Sequence, residues 1–119
     1  MAEPAVLEGR CRDLEWAVCA TPYPRQRRSG DAFLVEETAS GVLVAVVDGL
    51  GHGEEAADVA DRALASLRQT AGGALTECVT ACHRELRGSR GVALTVAAID
   101  QVAGQLTWVA VGNVEAAVL

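Results

Sequence analysis

Two acidic residues stand beside apolar segments, where their side chains could hold a metal ion. Asp48 directly follows the apolar run of residues 42–47, and Asp31 follows Gly30 just before residues 32–36. If these segments pair as a hairpin, the two carboxylates lie at neighbouring strand ends, because adjacent strands are only ~4.8 Å apart. Mg²⁺ and Mn²⁺ prefer carboxylate, carbonyl and water oxygens, and Gly49 lets its carbonyl approach closely. The pattern predicts an open oxygen site for a divalent cation.

Each of these residues, taken alone, also fits an ordinary structural role. An aspartate–glycine pair after a strand is typical of a turn in which the carboxylate accepts a backbone hydrogen bond. Asp31 alone fits a solvated loop acid or a cap, and His52 alone fits a surface histidine. The prediction of a site therefore depends on the joint order of Gly-Asp at residues 30–31, a short hairpin, and Asp-Gly-Leu-Gly-His-Gly at residues 48–53.

Apolar periodicity predicts the elements that must position these residues. Two segments, residues 54–70 and 74–87, carry an apolar stripe at helical spacing. The run of residues 42–47 is rich in β-branched types and predicts a strand that is buried on both faces. The predicted strands are residues 14–20, 32–36, 42–47, 92–100, 105–111 and 114–119. Strands grouped around one helical pair predict an α+β fold with largely antiparallel sheets.

Composition excludes several classes of protein. The chain has 119 residues, enough for one small domain, and its net charge of −6 disfavours nucleic acid as a partner. No apolar run is long enough to span a membrane, and free thiols predict a cytoplasmic protein. Cys78 and Cys82 fall on the apolar stripe of the second helix, which favours buried packing over a zinc site with His83.

The joint order of the motifs resembles the PPM-type metal-dependent serine/threonine protein phosphatases. The resemblance lies in Ser-Gly-Asp-Ala-Phe at residues 29–33 and Val-Val-Asp-Gly-Leu-Gly-His-Gly at residues 46–53. It extends through both helices to residues 94–97 and 111–115, and so covers nearly the whole chain. Within the family, the chain is most similar to the bacterial partner-switching branch and its RsbX-like stressosome phosphatases. The resemblance implies two antiparallel sheets packed face to face with flanking helical pairs, the PPM phosphatase-like αββα sandwich.

The family's activity implies a metal centre and a reaction. Two Mn²⁺ or Mg²⁺ ions would bind between the sheets, with Asp31, Asp48 and Gly49 as ligands and the two aspartates as catalytic residues. Metal ions lower the pKa of a bound water, and the resulting hydroxide would hydrolyse phosphoserine or phosphothreonine. The implied substrate is a phosphorylated STAS-domain regulatory protein of a stressosome or of a sigma-factor pathway.

The resemblance also implies roles for residues around the metal centre. An arginine before the first acidic motif contacts the phosphate in this family, and the candidates are Arg25, Arg27 and Arg28. Spacing favours Arg27 or Arg28, and arginine suits phosphate through its bidentate geometry. His52 is offset from the histidine of some relatives, so its expected role is to hydrogen-bond a metal-bound water or to shape the turn.

Two alternatives to a phosphatase are compatible with the same residues. The family's other aspartates come from its C-terminal half, so we expect residues 1–119 to form the N-terminal part of a longer phosphatase-like domain. The first alternative is that the chain is a non-catalytic phosphatase-like interaction module. A nucleotide site at Gly51-His52-Gly53 and the following helix is disfavoured, because a Walker lysine is missing and Glu54 and Glu55 repel phosphate.

Overall fold

The computed structural model describes residues 5–20, 29–51 and 53–119. Within them the elements follow in the order β1 (Ala5–Cys11), β2 (Leu14–Ala20), β3 (Asp31–Glu37), β4 (Gly41–Gly49), α1 (Glu54–Thr70), α2 (Leu75–Glu85), β5 (Val92–Asp100) and β6 (Gln105–Val111). β1 and β2 form a separate hairpin, and the other strands form one sheet in the order β3-β4-β5-β6. Every pairing is antiparallel. The predicted α+β class with antiparallel sheets is confirmed.

The core lies between the helical pair and one face of the four-stranded sheet. Alternate residues of β4 point to this face, and the apolar stripe of α1 packs against them. Small side chains on that stripe bring the helix close to the sheet, as periodicity predicts. Deeply buried members of this layer include Leu43, Ala45, Val47, Ala60, Ala63, Leu67, Leu94 and Val96. Full burial of a side chain such as Leu67 contributes about 2 kcal/mol.

The opposite face of the sheet is also apolar, but it is only partly covered. Val35, Val44, Ala97 and Trp108 are cross-strand partners in one row across all four strands. In the next row Val46 is 51% exposed. The prediction that residues 42–47 are buried on both faces therefore holds at Val42, which is 1% exposed, but is wrong at Val46, because the helices cover one face only.

The β1–β2 hairpin meets the sheet along its β3 edge. The rings of Trp16 and Phe33 lie 5.6 Å apart, and the Arg12 guanidinium donates to the carbonyl oxygens of Thr38 and Ala39 at 2.7 and 3.2 Å. Two antiparallel sheets and a helical pair are thus present. The finer prediction of a PPM-like sandwich is not confirmed, since the described part of the chain supplies a two-stranded hairpin at one edge rather than a second full layer.

The structure differs from the prediction in one additional strand, β1, and in one predicted strand that does not form. β1 was not predicted, because Glu8, Gly9 and Arg10 interrupt its apolar alternation, yet it pairs with β2 along its whole length. Residues 114–119 were predicted as a strand but form none. Gly112 turns the chain at φ 87°, and the Val114 carbonyl then accepts a hydrogen bond from the Thr95 hydroxyl at 2.9 Å instead of joining the ladder.

The cysteines of α2 take part in core packing. Cys78 and Cys82 are 0% and 1% exposed, and the Cys78 thiol donates to the Thr70 carbonyl at 3.2 Å. Burial raises the pKa of the Cys82 thiol, with a further contribution from the charge of Glu85. The predicted buried packing of these residues is confirmed. In the described part of the chain, no helix is both long and apolar enough to cross a membrane.

Candidate functional site

The predicted hairpin brings its two aspartates together at one end of the sheet. Asp31 begins β3, Asp48 lies near the end of β4, and the two are direct cross-strand partners. The pKa of Asp31 is raised above its ordinary value, first by partial desolvation, then by the negative charge of Asp48 and by a hydrogen bond between the two carboxyl groups. Ionising Asp31 in the folded state therefore costs free energy, in part because the Asp48 carboxyl group lies beside it.

Glycines hold this corner tightly against the start of α1. The Gly49 amide donates to the Gly30 carbonyl at 2.7 Å, and the Leu50 amide donates to the Gly91 carbonyl at 3.0 Å. A Cβ atom on Gly49 would lie 2.1 Å from the Ala56 carbonyl oxygen, so only glycine fits there. Packing alone thus requires glycine after Asp48, and the two aspartates stand on a rigid frame.

The other predicted site residues lie outside the described part of the chain. These are the phosphate-binding candidates Arg27 and Arg28, the neighbouring Arg25, and the second-shell candidate His52. Their roles stay predictions. Of the predicted ligand set, the structure places Asp31, Asp48 and Gly49 next to one another.

The chemistry of the aspartate pair suits a cation. Two carboxylates at one strand end repel each other when both are ionised, and a divalent cation would neutralise both. Residues 5–20, 29–51 and 53–119 contain no group of three or more His, Cys, Asp or Glu side chains that could hold a metal ion. Among the described residues the pair could thus offer a metal ion two carboxylates, with Gly49 beside them.

Replacing Asp48 with asparagine is expected to raise the free energy of unfolding at pH 7, by less than about 1 kcal/mol because Asp31 is solvent-exposed. The stability linked to Asp31 is fully present below its unfolded pKa of 3.8. It is lost as the pH rises through the higher folded pKa, because the folded state must then hold two adjacent charges. Urea unfolding at pH 7 and pH 3 should show the gain only at pH 7. Asp13→Asn serves as the control, and a less stable Asp48→Asn at pH 7 would contradict the repulsion.

Sequence reasoning missed the exposed apolar face of the sheet. Leu106 and Trp108 alternate with Val109 and Val111 along β6, so this strand is apolar on both faces. The sequence carried that signal, but it did not show that only one of the two faces would be covered. In the structure Leu106 and Trp108 are 42% and 48% exposed.

Comparison with known proteins connects the chain to one solved assembly. No family model and no curated protein matches the chain. The chain is similar to a chain in a structure of the bacterial stressosome, described as a modular system that has been adapted to control secondary messenger signalling. The sequences are 33% identical, the TM-score is 0.72, and the similarity covers 95% of this chain. The chain spans 53% of the one it matches, about half its length.

These findings correct the prediction of an RsbX-like, PPM-type phosphatase and of an enzyme. The likeness that they establish is to a stressosome structure, and it favours the non-catalytic alternative over hydrolysis of phosphoserine or phosphothreonine. The physical reason is that the motif at residues 48–53 has a packing role of its own. Its first glycine is required by the contact with Ala56, whatever the chemistry nearby. We therefore assign no catalytic step to Asp31 or Asp48.

Proposed function

We propose that this chain is a non-catalytic regulatory module of a stressosome-type signalling assembly. The observation that carries the proposal is the likeness to the stressosome structure, at 33% identity over 95% of this chain. Because the chain spans 53% of the matched chain, the proposal concerns the module and its place in a stress-signalling complex. We propose as its specific partner a phosphorylated STAS-domain protein, the partner that the sequence resemblance implies.

The exposed face of the four-stranded sheet supplies a contact surface for such an assembly. We call the row Val35, Val44, Ala97 and Trp108, together with the adjacent Val46, the apolar face. Trp108 and Val46 are 48% and 51% exposed there. Clustered exposed apolar side chains mark interaction surfaces, and tryptophan is enriched at the centres of interfaces. A module that binds partners through this face would act by binding and not by catalysis.

Co-sedimentation tests the proposal. The purified chain is mixed with a reconstituted stressosome from the same organism and centrifuged at a speed that pellets the assembly but not the free chain. The proposal predicts that the chain appears in the pellet and that its bound fraction saturates with concentration. A chain that stays in the supernatant at every concentration would refute membership in the assembly.

We also propose that Asp31 and Asp48, with Gly49 beside them, bind Mn²⁺ or Mg²⁺. The support is their direct cross-strand register, together with the raised pKa of Asp31, which partial desolvation causes first and the neighbouring Asp48 carboxyl group second. Paramagnetic Mn²⁺ should broaden the amide NMR signals of residues 30–32 and 47–49 first. Asp48→Asn should weaken this binding about tenfold, as loss of one adjacent charge implies. Asp13→Asn should not change it, and equal broadening in both variants would remove the pair from the site.

A further inference from the structure

A second candidate site lies at the C-terminal end of α2. A cleft of about 550 Å³ opens between the last turns of α2, the loop of residues 87–91 and strands β5 and β6. Its floor contains Cys82, Leu86 and Leu94, which are 1%, 7% and 4% exposed. Clefts of this size with mostly apolar walls and a few polar groups are typical of small-molecule sites.

The charge at the rim of this cleft is opposite to the charge of the chain. The chain carries 16 acidic and 10 basic residues, with a net charge of −6. The residues that line the cleft nevertheless include His83, Arg87 and Arg90, and none of them is Asp or Glu. In a chain that is acidic overall, the basic residues of this cleft favour a ligand that carries negative charge.

The two arginines differ in their ion pairs with neighbouring carboxylates. The Arg90 guanidinium lies 3.8 Å from a Glu55 carboxylate oxygen, and both side chains are more than half exposed, so this ion pair is weak. Within the described residues, Arg87 forms no ion pair with any carboxylate. Among the described residues, no carboxylate thus neutralises the Arg87 guanidinium at the rim.

Hydrogen bonds hold the loop that carries these arginines. The Ser89 hydroxyl donates to the Leu86 carbonyl at 2.5 Å and accepts from the Gly91 amide at 3.0 Å. The Gly91 carbonyl in turn accepts from the Leu50 amide at 3.0 Å. The loop is therefore fixed both to the end of α2 and to the chain after β4, which keeps the cleft open and its rim in place.

We propose that this cleft binds a small organic anion that joins an apolar body to one carboxylate, sulfonate or phosphate group. The apolar body lies on Leu86 and Leu94, and the anionic group faces Arg87 and Arg90 at the rim. Burial of the body supplies affinity, and the charge supplies selection against neutral analogues. The site is separate from the apolar face and does not depend on the proposed assembly.

Matched probes test both parts of the proposal. 8-Anilinonaphthalene-1-sulfonate carries a sulfonate, and N-phenyl-1-naphthylamine has the same aromatic body without charge. We expect the sulfonate to bind with the lower dissociation constant and to shift the amide NMR signals of residues 82–92. The double variant Arg87→Gln/Arg90→Gln should weaken sulfonate binding about tenfold, the effect of two exposed charge contacts, and leave the neutral probe unchanged.

Two further variants serve as controls. Arg84→Gln removes a positive charge from α2 at a position that does not line the cleft, and should leave the binding of both probes unchanged. Val111→Trp places a large side chain at the edge of the cleft and should reduce the binding of both. Equal affinity for the charged and neutral probes would overturn the anion part of the proposal. Sulfonate-induced shifts confined to residues outside 82–92 would overturn the site itself.

Discussion

Replacing Gly49 with alanine is expected to lower the free energy of unfolding by about 3 kcal/mol, the upper range for overpacking a core. The added Cβ would lie 2.1 Å from the Ala56 carbonyl oxygen and 3.1 Å from a Val59 methyl group. Both contacts belong to α1, which is packed against the sheet and cannot move away without opening the core. Urea unfolding followed by circular dichroism measures the loss.

Gly104 provides a matched control for this substitution. It lies in the β5–β6 turn at φ 68°, with open space where a Cβ would be. Alanine there is expected to cost about 1 kcal/mol, the conformational penalty of the left-handed region alone. If Gly49→Ala costs no more than Gly104→Ala, the close approach of β4 and α1 does not fix the Asp48-Gly49 corner.

Replacing Trp108 with alanine is expected to weaken binding to the stressosome about thirtyfold or more, the usual effect of truncating a central tryptophan. Trp108 lies in the row with Val35, Val44 and Ala97, so the substitution removes the largest side chain of the apolar face. Because Trp108 is already 48% exposed, the fold should lose little stability. Co-sedimentation over a concentration series gives the change in affinity.

Val102 is the control for the interface prediction. It is 85% exposed in the β5–β6 turn, outside the apolar face, so Val102→Ala removes exposed apolar surface without changing that face. We expect it to bind like the unaltered chain. Equal binding by Trp108→Ala and Val102→Ala would show that partners do not use the apolar face, even if the chain does enter the assembly.

The strands and helices with strong periodicity were predictable from the sequence. The predicted bounds of α1, β5 and β6 match those in the structure, because each carries several turns or alternations of its own pattern. The bounds of β2 match as well, although its alternation is weak. β1 has no such pattern and is defined by its partner β2. Residues 114–119 have an apolar pattern but form no strand, since Gly112 and the hydrogen bond to Thr95 direct the chain elsewhere. Local sequence specifies elements better than it specifies pairing.

Only part of the candidate sites was predictable from the sequence. The juxtaposition of Asp31 and Asp48 followed from a hairpin whose register is set by its short turn. The cleft beside α2 was not predictable, because Leu86, Arg87 and Leu94 come from elements whose packing the sequence does not reveal. The activity was wrongly predicted for another reason. The glycine after Asp48 is explained by its contact with Ala56, so the motif reports a packing geometry as much as a reaction.

Phosphate release from the phosphorylated assembly tests the central claim most directly. The chain, with Mn²⁺ present, is added to a stressosome carrying phosphoserine or phosphothreonine, and free phosphate is measured while the bound chain is quantified. A regulatory module without catalytic activity should bind and release no phosphate above the background of the assembly alone. Release that requires the chain and is abolished by Asp48→Asn would contradict the account and assign an enzymatic role to the aspartate pair.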